Sequence, residues 1–327
     1  MTFVSNYKAC FDDLLAKLLS SEPVFISRIG GSDTAAVIDY LRVKGASSKD
    51  ISEHVAKHMP LVSKYNGFYD RNGSVEVYFN YCEELIRAYE SSATLLLCNR
   101  PLLSLYFRSV VNPALYKEDF ENKEYYRSFM EHLLAKITTL QCYPYQVVEK
   151  VVFDEYTLFR AFSTALAGKT VLVVSPFSTS IDANFHRRHS FFKKQYTYPE
   201  FNLILANTPI TYSGLPTDLY PDVDWFSTTE SLRRDLSKIE FDIALLSCGS
   251  YAMPLGVHIE RNLRRKAIYV GGILQLFFGI MGARYNNKFF LDQINSENFI
   301  YPLERERYLK FVAIQEDAPK EAFGAYF

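Results

Sequence analysis

The chain has no apolar run close to the roughly 20 residues that a membrane helix requires. Its longest, about residues 273–281, is interrupted by Gln275 and Gly279. The start, MTFVSNYKACFDDLLAKLL, carries two acidic residues where a signal peptide needs an apolar centre. Cysteine is sparse: Cys10, Cys82, Cys98, Cys142 and Cys248 are odd in number, scattered and never spaced as CxxC. That excludes a zinc finger or a disulfide framework and suits a reducing compartment. Net charge is close to zero, with 36 Lys plus Arg against 37 Asp plus Glu, so bulk charge offers nothing to nucleic acid. The three spaced glycines of a dinucleotide fingerprint are missing, which counts against a dehydrogenase. Internal repeats and low-complexity tracts are absent as well. The expectation is a soluble cytoplasmic protein with no transmembrane segment and no nucleic-acid partner, peripheral at most on the inner face of the membrane.

What remains is plentiful core material. Hydrophobic residues make up 48% of 327, and 24 Tyr and 26 Phe accompany a single Trp. The aromatic surplus suits a core first, and then a glycan-stacking surface or a homo-oligomer contact. Short apolar runs read as buried strands: 24–29 (VFISRI), 94–98 (TLLLC), 171–175 (VLVVS), 202–206, 243–247 and 267–270. Helical patterns alternate with them. This predicts an α/β fold: a Rossmann-like, doubly wound, mainly parallel sheet with helices on both faces. The stretch 141–153 changes character and divides one expected domain, 1–327, into an N-terminal half (1–150) and a Rossmann-like half (151–327).

Helices are expected at 7–20 and 34–42, and from a Ser47–Asp50 capping box to Pro60. Further ones follow at 78–89, at 122–140 and from Asp154 to a Gly168 cap. A basic amphipathic helix is expected over 181–194, another from a Ser227–Glu230 capping box, and a last one from about 250 to 266. YNGFY, 65–69, reads as a substrate lip or simply a turn.

Exit loops of parallel strands gather along one sheet edge, where such folds bind ligands. Arg28 ends the first strand and runs into Gly30, Gly31, Ser32 and Asp33. These residues either cap a helix or form a site, with arginine gripping a phosphate in two bonds and Asp33 holding a metal or acting as base. Asn99 and Arg100 follow another strand end. Ser175, Phe177 and Ser180 lie in or beside the loop after VLVVS. His186, Arg187, Arg188 and His189 cluster just beyond, as a diphosphate neutraliser or a solvated face. Cys248, Gly249 and Ser250, with Gly271 and Gly272, flank a βαβ unit whose small residues let backbone N–H groups approach a phosphate.

Three stretches, ISRIGGSD, VLVVSPFSTSI and 241–285 (FDIALLSCGSYAMPLGVHIERNLRRKAIYVGGILQLFFGIMGARY), together resemble the GT-D-fold glycosyltransferases. The resemblance touches most of 22–285. It implies transfer of a sugar from a nucleoside diphosphate, with a UDP-sugar favoured, to a glycan acceptor in surface polysaccharide or glycoprotein synthesis. It implies Arg28 and Asp33 as catalytic residues. Gly30, Gly31, Ser32, Ser175, Phe177, Ser180, His186, Arg187, Arg188, Cys248, Gly249, Ser250, Gly271 and Gly272 would serve the donor. The family signature can read Asp-x-Glu, tied to a divalent metal, Mn or Mg. Here those positions are Gly31, Ser32 and Asp33, so two acidic ligands become one and metal dependence stays open. The alternative is a non-catalytic nucleotide- or glycan-binding partner subunit on the same fold.

Overall fold

The structure, a computed structural model, describes residues 2–3, 7–29, 36–37, 40–41, 43–92, 94–97, 141–144, 157–193, 196–211 and 219–306. Strands are β1 (Thr2–Phe3), β2 (Phe25–Ile29), β3 (Thr94–Leu97), β4 (Gln141–Pro144), β5 (Thr170–Ser175), β6 (Asn202–Asn207), β7 (Ile243–Leu246) and β8 (Lys266–Tyr269). They form one sheet in the order β1-β4-β3-β2-β8-β7-β5-β6. Every neighbouring pair in that order is parallel. The strand runs read from the sequence are all present, within about two residues at their ends. Val171–Val174 and Ile243–Leu246 are buried on both faces. Continuous apolar runs of this kind mark strands covered on both sides.

The main helices are α1 (Tyr7–Leu19), α2 (Ser48–Asn66), α3 (Val75–Ser91), α4 (Leu158–Ala165), α5 (Ser178–Asn184), α6 (Trp225–Leu236) and α7 (Ala252–Arg261). From β5 the chain steps outward to β6, then back past β5 to β7, then on to β8. Right-handed crossovers therefore put α5 on one face and α6 and α7 on the other. The contacts agree. α7 packs on β2, β7 and β8 and against α3 and α6, while α1 meets α4. The fold is α/β and doubly wound. β2 pairs with β8 at Ile26↔Ile268, so strands from both halves of the chain share one sheet.

Several expectations change in detail. The stretch 141–153 opens with a strand, β4, registered on β3. Pro60 does not end its helix but lies inside α2, which runs to Asn66 and stops at Gly67 in the left-handed region. Buried Val55 and Val62 anchor α2 on both sides of the proline, and that packing outweighs the roughly 3 kcal/mol a mid-helix proline costs. Gly67 makes YNGFY a helix stop rather than a lip, since Phe68 and Tyr69 are core. The capping box at Ser227–Glu230 is displaced by three residues: Asp224 caps α6, accepting the Ser227 N–H at 2.7 Å. Seating Trp225 in the core sets that start. Gly168 is not the cap of α4, which ends at Ala165; it turns the chain into β5. The loop after β5 is only Pro176 and Phe177. The basic helix is α5 followed by a 3-10 segment, Phe185–Ser190. α7 ends at Arg261 rather than near 266. The expected helix at 122–140 lies outside the described residues.

Candidate functional site

The carboxyl edge of the sheet collects the exits of β2, β5, β7 and β8. β5 leads outward to β6 and β7 leads inward to β8, so their exit loops part at a topological switch point. Arg28, next to last in β2, is half-buried there. Its Nη1 donates to the Val270 carbonyl oxygen at 2.9 Å, and its guanidinium carbon lies 5.5 Å from the Tyr269 ring centre. Gly271 is the reason the guanidinium fits. A Cβ on that residue would stand 1.7 Å from Arg28 Nη1, and its φ of +72° is left-handed. Tyr269 carries the contact onward, its hydroxyl donating to the Gly249 carbonyl at 3.3 Å. One connected group therefore joins Arg28, Tyr269, Val270, Gly271 and Gly249, drawn from β2, β8 and the turn after β7. Gly272 follows Gly271 in a short 3-10 turn to Ile273.

The other expected residues divide. Cys248 is buried, and burial pushes its thiol far above the usual cysteine range. A neutral, covered sulfur packs; it does not attack. Ser250 is buried and accepts the Trp225 indole N–H at 2.8 Å, joining α6 to the βαβ unit. Ser175 is buried and its hydroxyl accepts the Phe177 N–H at 3.2 Å, shaping the tight turn out of β5, while Phe177 enters the core. Ser180 is engaged from a direction that sequence spacing did not suggest. The Glu304 carboxylate accepts from its backbone N–H at 3.1 Å and from its hydroxyl, and the Leu303 N–H donates to that hydroxyl at 2.8 Å. The chain around Pro302–Glu304 thus straps the first turn of α5.

His186, Arg187 and Arg188 are not brought to Arg28. α5 starts at the carboxyl edge and crosses back, so its 3-10 extension ends beside Glu200, just ahead of β6. Arg188 donates to Glu200 at 2.6 Å and His189 lies 2.8 Å from the same carboxylate. The Arg188 hydrogen bond holds the Glu200 carboxyl below its ordinary range. The Gly168 N–H bonds the Glu200 carbonyl at 2.8 Å, which fixes this cluster at the amino edge of β5 and β6. Six strand residues, about 20 Å, separate that edge from the other.

Gly30, Gly31, Ser32 and Asp33 lie outside the described residues, as do Asn99 and Arg100. Among the described residues no three His, Cys, Asp or Glu side chains come together as a metal site. Tyr269 and Glu304 were missed by sequence reasoning. Tyr269 looks like any aromatic strand residue, and Glu304 stands more than a hundred positions from Ser180.

No family model and no curated protein matches the chain. Two solved structures resemble it, each at 13% identity over 80% of this chain and 82% of the other, with a TM-score of 0.37. One is described as a selenomethionine-substituted domain of unknown function 1792. The other is described as that same domain, having a distinct glycosyltransferase fold. At that similarity they carry no inference about activity.

Proposed function

We propose that this protein is a glycosyltransferase that moves a sugar from a nucleoside-diphosphate-sugar to an acceptor hydroxyl. The single observation that supports it most is Arg28, seated on the bare backbone of Gly271 at the carboxyl edge of a doubly wound sheet. An arginine in that place suits a departing diphosphate, because its planar fork matches phosphate oxygens and its charge offsets the negative charge that builds up on them. The Tyr269 ring and the Val270 carbonyl would hold the guanidinium in one orientation, so that little order has to be acquired when the donor binds.

In the reaction the bond from the anomeric carbon to the diphosphate oxygen breaks, and its electrons leave with the diphosphate. A bond forms between the acceptor oxygen and the anomeric carbon, and the acceptor hydroxyl gives up its proton. Asp33, four positions past the end of β2 in the sequence, is the proposed acceptor of that proton, or else a metal ligand. The donor would extend from Arg28 over Gly249, with backbone N–H groups of Gly271 and Gly272 beside its phosphates. A UDP-sugar is the favoured donor and a surface glycan or glycoprotein the favoured acceptor, with the chain acting as one domain.

Thermal unfolding against a panel of nucleotide-sugars, with and without manganese, tests this reading. A donor at 100 times its dissociation constant stabilises the fold by about 2.7 kcal/mol. Folded Arg28→Ala and Asp33→Asn variants should each lower sugar transfer at least about tenfold, roughly 1.4 kcal/mol of transition-state stabilisation. Unchanged transfer removes these residues from the chemistry. Donor binding without turnover under any metal favours the partner-subunit alternative.

A further inference from the structure

The amino edge of the same sheet holds a second feature, unrelated to Arg28. A cleft of about 370 Å³ opens where β5, β7 and β8 begin, between the end of α1 and the loop that follows α7. Small-molecule sites occupy roughly 300–1,000 Å³. Four cations line it, Lys169, Arg264, Arg265 and Lys266, with Glu22, Glu240 and Asp242 among them.

Most of these charges already have work. Arg265 pairs with Glu240 and donates to the Ile239 carbonyl at 2.6 Å. Lys266 donates to the Leu18 carbonyl at 2.9 Å and to that of Ser20, tying α1 to the sheet. The Asp242 carboxylate accepts the Thr170 N–H at 2.7 Å. Lys169 and Arg264 are different. Both are exposed, and among the described residues neither side chain forms an ion pair or a hydrogen bond, although both border the cleft. Burial, and then the nearby charge of Lys169, holds Lys266 below the usual lysine range, with Asp242 opposing. The lining thus carries one more cation than carboxylates, and the charge of Arg264 is also felt by Glu260, whose carboxylate already accepts the Phe25 N–H.

Arg264 adds a conformational argument. Its φ is +56°, and it is the one non-glycine residue with positive φ among the described residues. It stands where the chain leaves α7, with the Arg265 N–H reaching back to the Ile259 carbonyl at 3.1 Å. Glycine or asparagine enters this region far more easily. A long cation in a position that favours glycine is a local disadvantage to the fold, and strain of this type accompanies binding positions.

We propose that this cleft binds a phosphate-bearing anion, gripped by the guanidinium of Arg264 and the ammonium of Lys169. Arginine offers two parallel donors to phosphate oxygens and lysine a point charge beside them. Glu22, Glu240 and Asp242 line the same cleft and would disfavour a ligand with negative charge spread along its whole length. The site is separate from the sugar-transfer reading and stands or falls without it.

The test is a titration with inorganic pyrophosphate at low ionic strength, read by calorimetry on the full chain carrying Arg28→Ala, which removes the other candidate phosphate contact. Binding is expected to persist there, and to weaken at least tenfold when Arg264→Gly or Lys169→Ala is added. Arg264→Gly should melt at the same temperature or higher, since glycine fits the backbone better, so a loss of binding cannot come from unfolding. Vesicles of phosphatidylcholine with phosphatidylglycerol distinguish the source of the phosphate. Cosedimentation that Arg264→Gly abolishes identifies a lipid headgroup. Pyrophosphate binding without it identifies a soluble ligand. If Arg28→Ala alone abolishes pyrophosphate binding, or if neither cleft substitution weakens it, the proposal is overturned.

Discussion

The two edges of one sheet use arginine in opposite ways. At the carboxyl edge Arg28 is half-buried, fixed by a backbone carbonyl, an aromatic ring and a glycine that makes room for it. At the amino edge Arg188 and Arg265 are paired with acidic partners, Glu200 and Glu240, whose side chains stand 68% and 91% exposed, and exposed Arg264 borders a cleft from a left-handed backbone. Pairing in solvent contributes little, about 0–1 kcal/mol, and screens with salt. Orientation by packing persists, because it depends on shape rather than on charge. The difference teaches where to look: an arginine whose surroundings leave room for it alone is a better functional candidate than a cluster of arginines with exposed partners.

That contrast can be broken at Gly271. Gly271→Ala would put a methyl group into the Arg28 guanidinium and an L-residue at φ +72°. We expect sugar transfer to fall at least about tenfold, together with a stability loss of about 1–2 kcal/mol, read by initial rates and urea unfolding on the same sample. Gly256→Ala is the matched control in the interior between the edges. Its Cβ would stand 2.1 Å from the buried Phe25 ring. It should destabilise by about 1–3 kcal/mol through overpacking, with transfer per folded molecule unchanged. If both variants lose only stability, Gly271 is structural and the contrast fails.

Ser250→Ala sharpens the boundary of the site. It strips the Trp225 indole N–H of its acceptor, a loss of about 1–3 kcal/mol for an unsatisfied buried donor. Donor affinity should not move, which a thermal-shift titration with the nucleotide-sugar would check. The smallest effect is expected from Arg188→Ala. Removing an ion pair to an exposed partner should change stability by no more than about 0.5 kcal/mol. Transfer should stay near normal, because the residue sits at the edge away from Arg28. A large drop in rate would bring the basic segment back into the reaction.

Much of the fold was legible residue by residue. VLVVS and IALL carry their burial in their composition, because a strand covered on both faces needs no alternation. Ser47 announced the start of α2 by local chemistry, its hydroxyl taking the Asp50 N–H. The errors came where two local signals competed. Pro60 reads as a stop, but its helix is held by contacts that lie elsewhere in sequence. Asp224 and Ser227 are both good caps, and only the seating of Trp225 chooses between them. The site was half legible. Arg28 and Gly271 were each candidates by position at a strand end, but nothing in their separation of more than 240 residues says that one needs the other to lack a side chain.

What the sequence by itself determined is therefore local: the class of fold, the buried strands, the starts of α1 and α2, and the residue types available at each strand exit. The tertiary structure alone decided which exits meet. Strand order placed β2 beside β8 and so brought Arg28 onto Gly271, while the return crossing of α5 carried Arg188 to the far edge and the chain near Glu304 came to rest on Ser180. Periodicity and capping are encoded within a turn or two of chain. The pairing of distant strands is set by how the whole apolar surface is best buried, which no short stretch records.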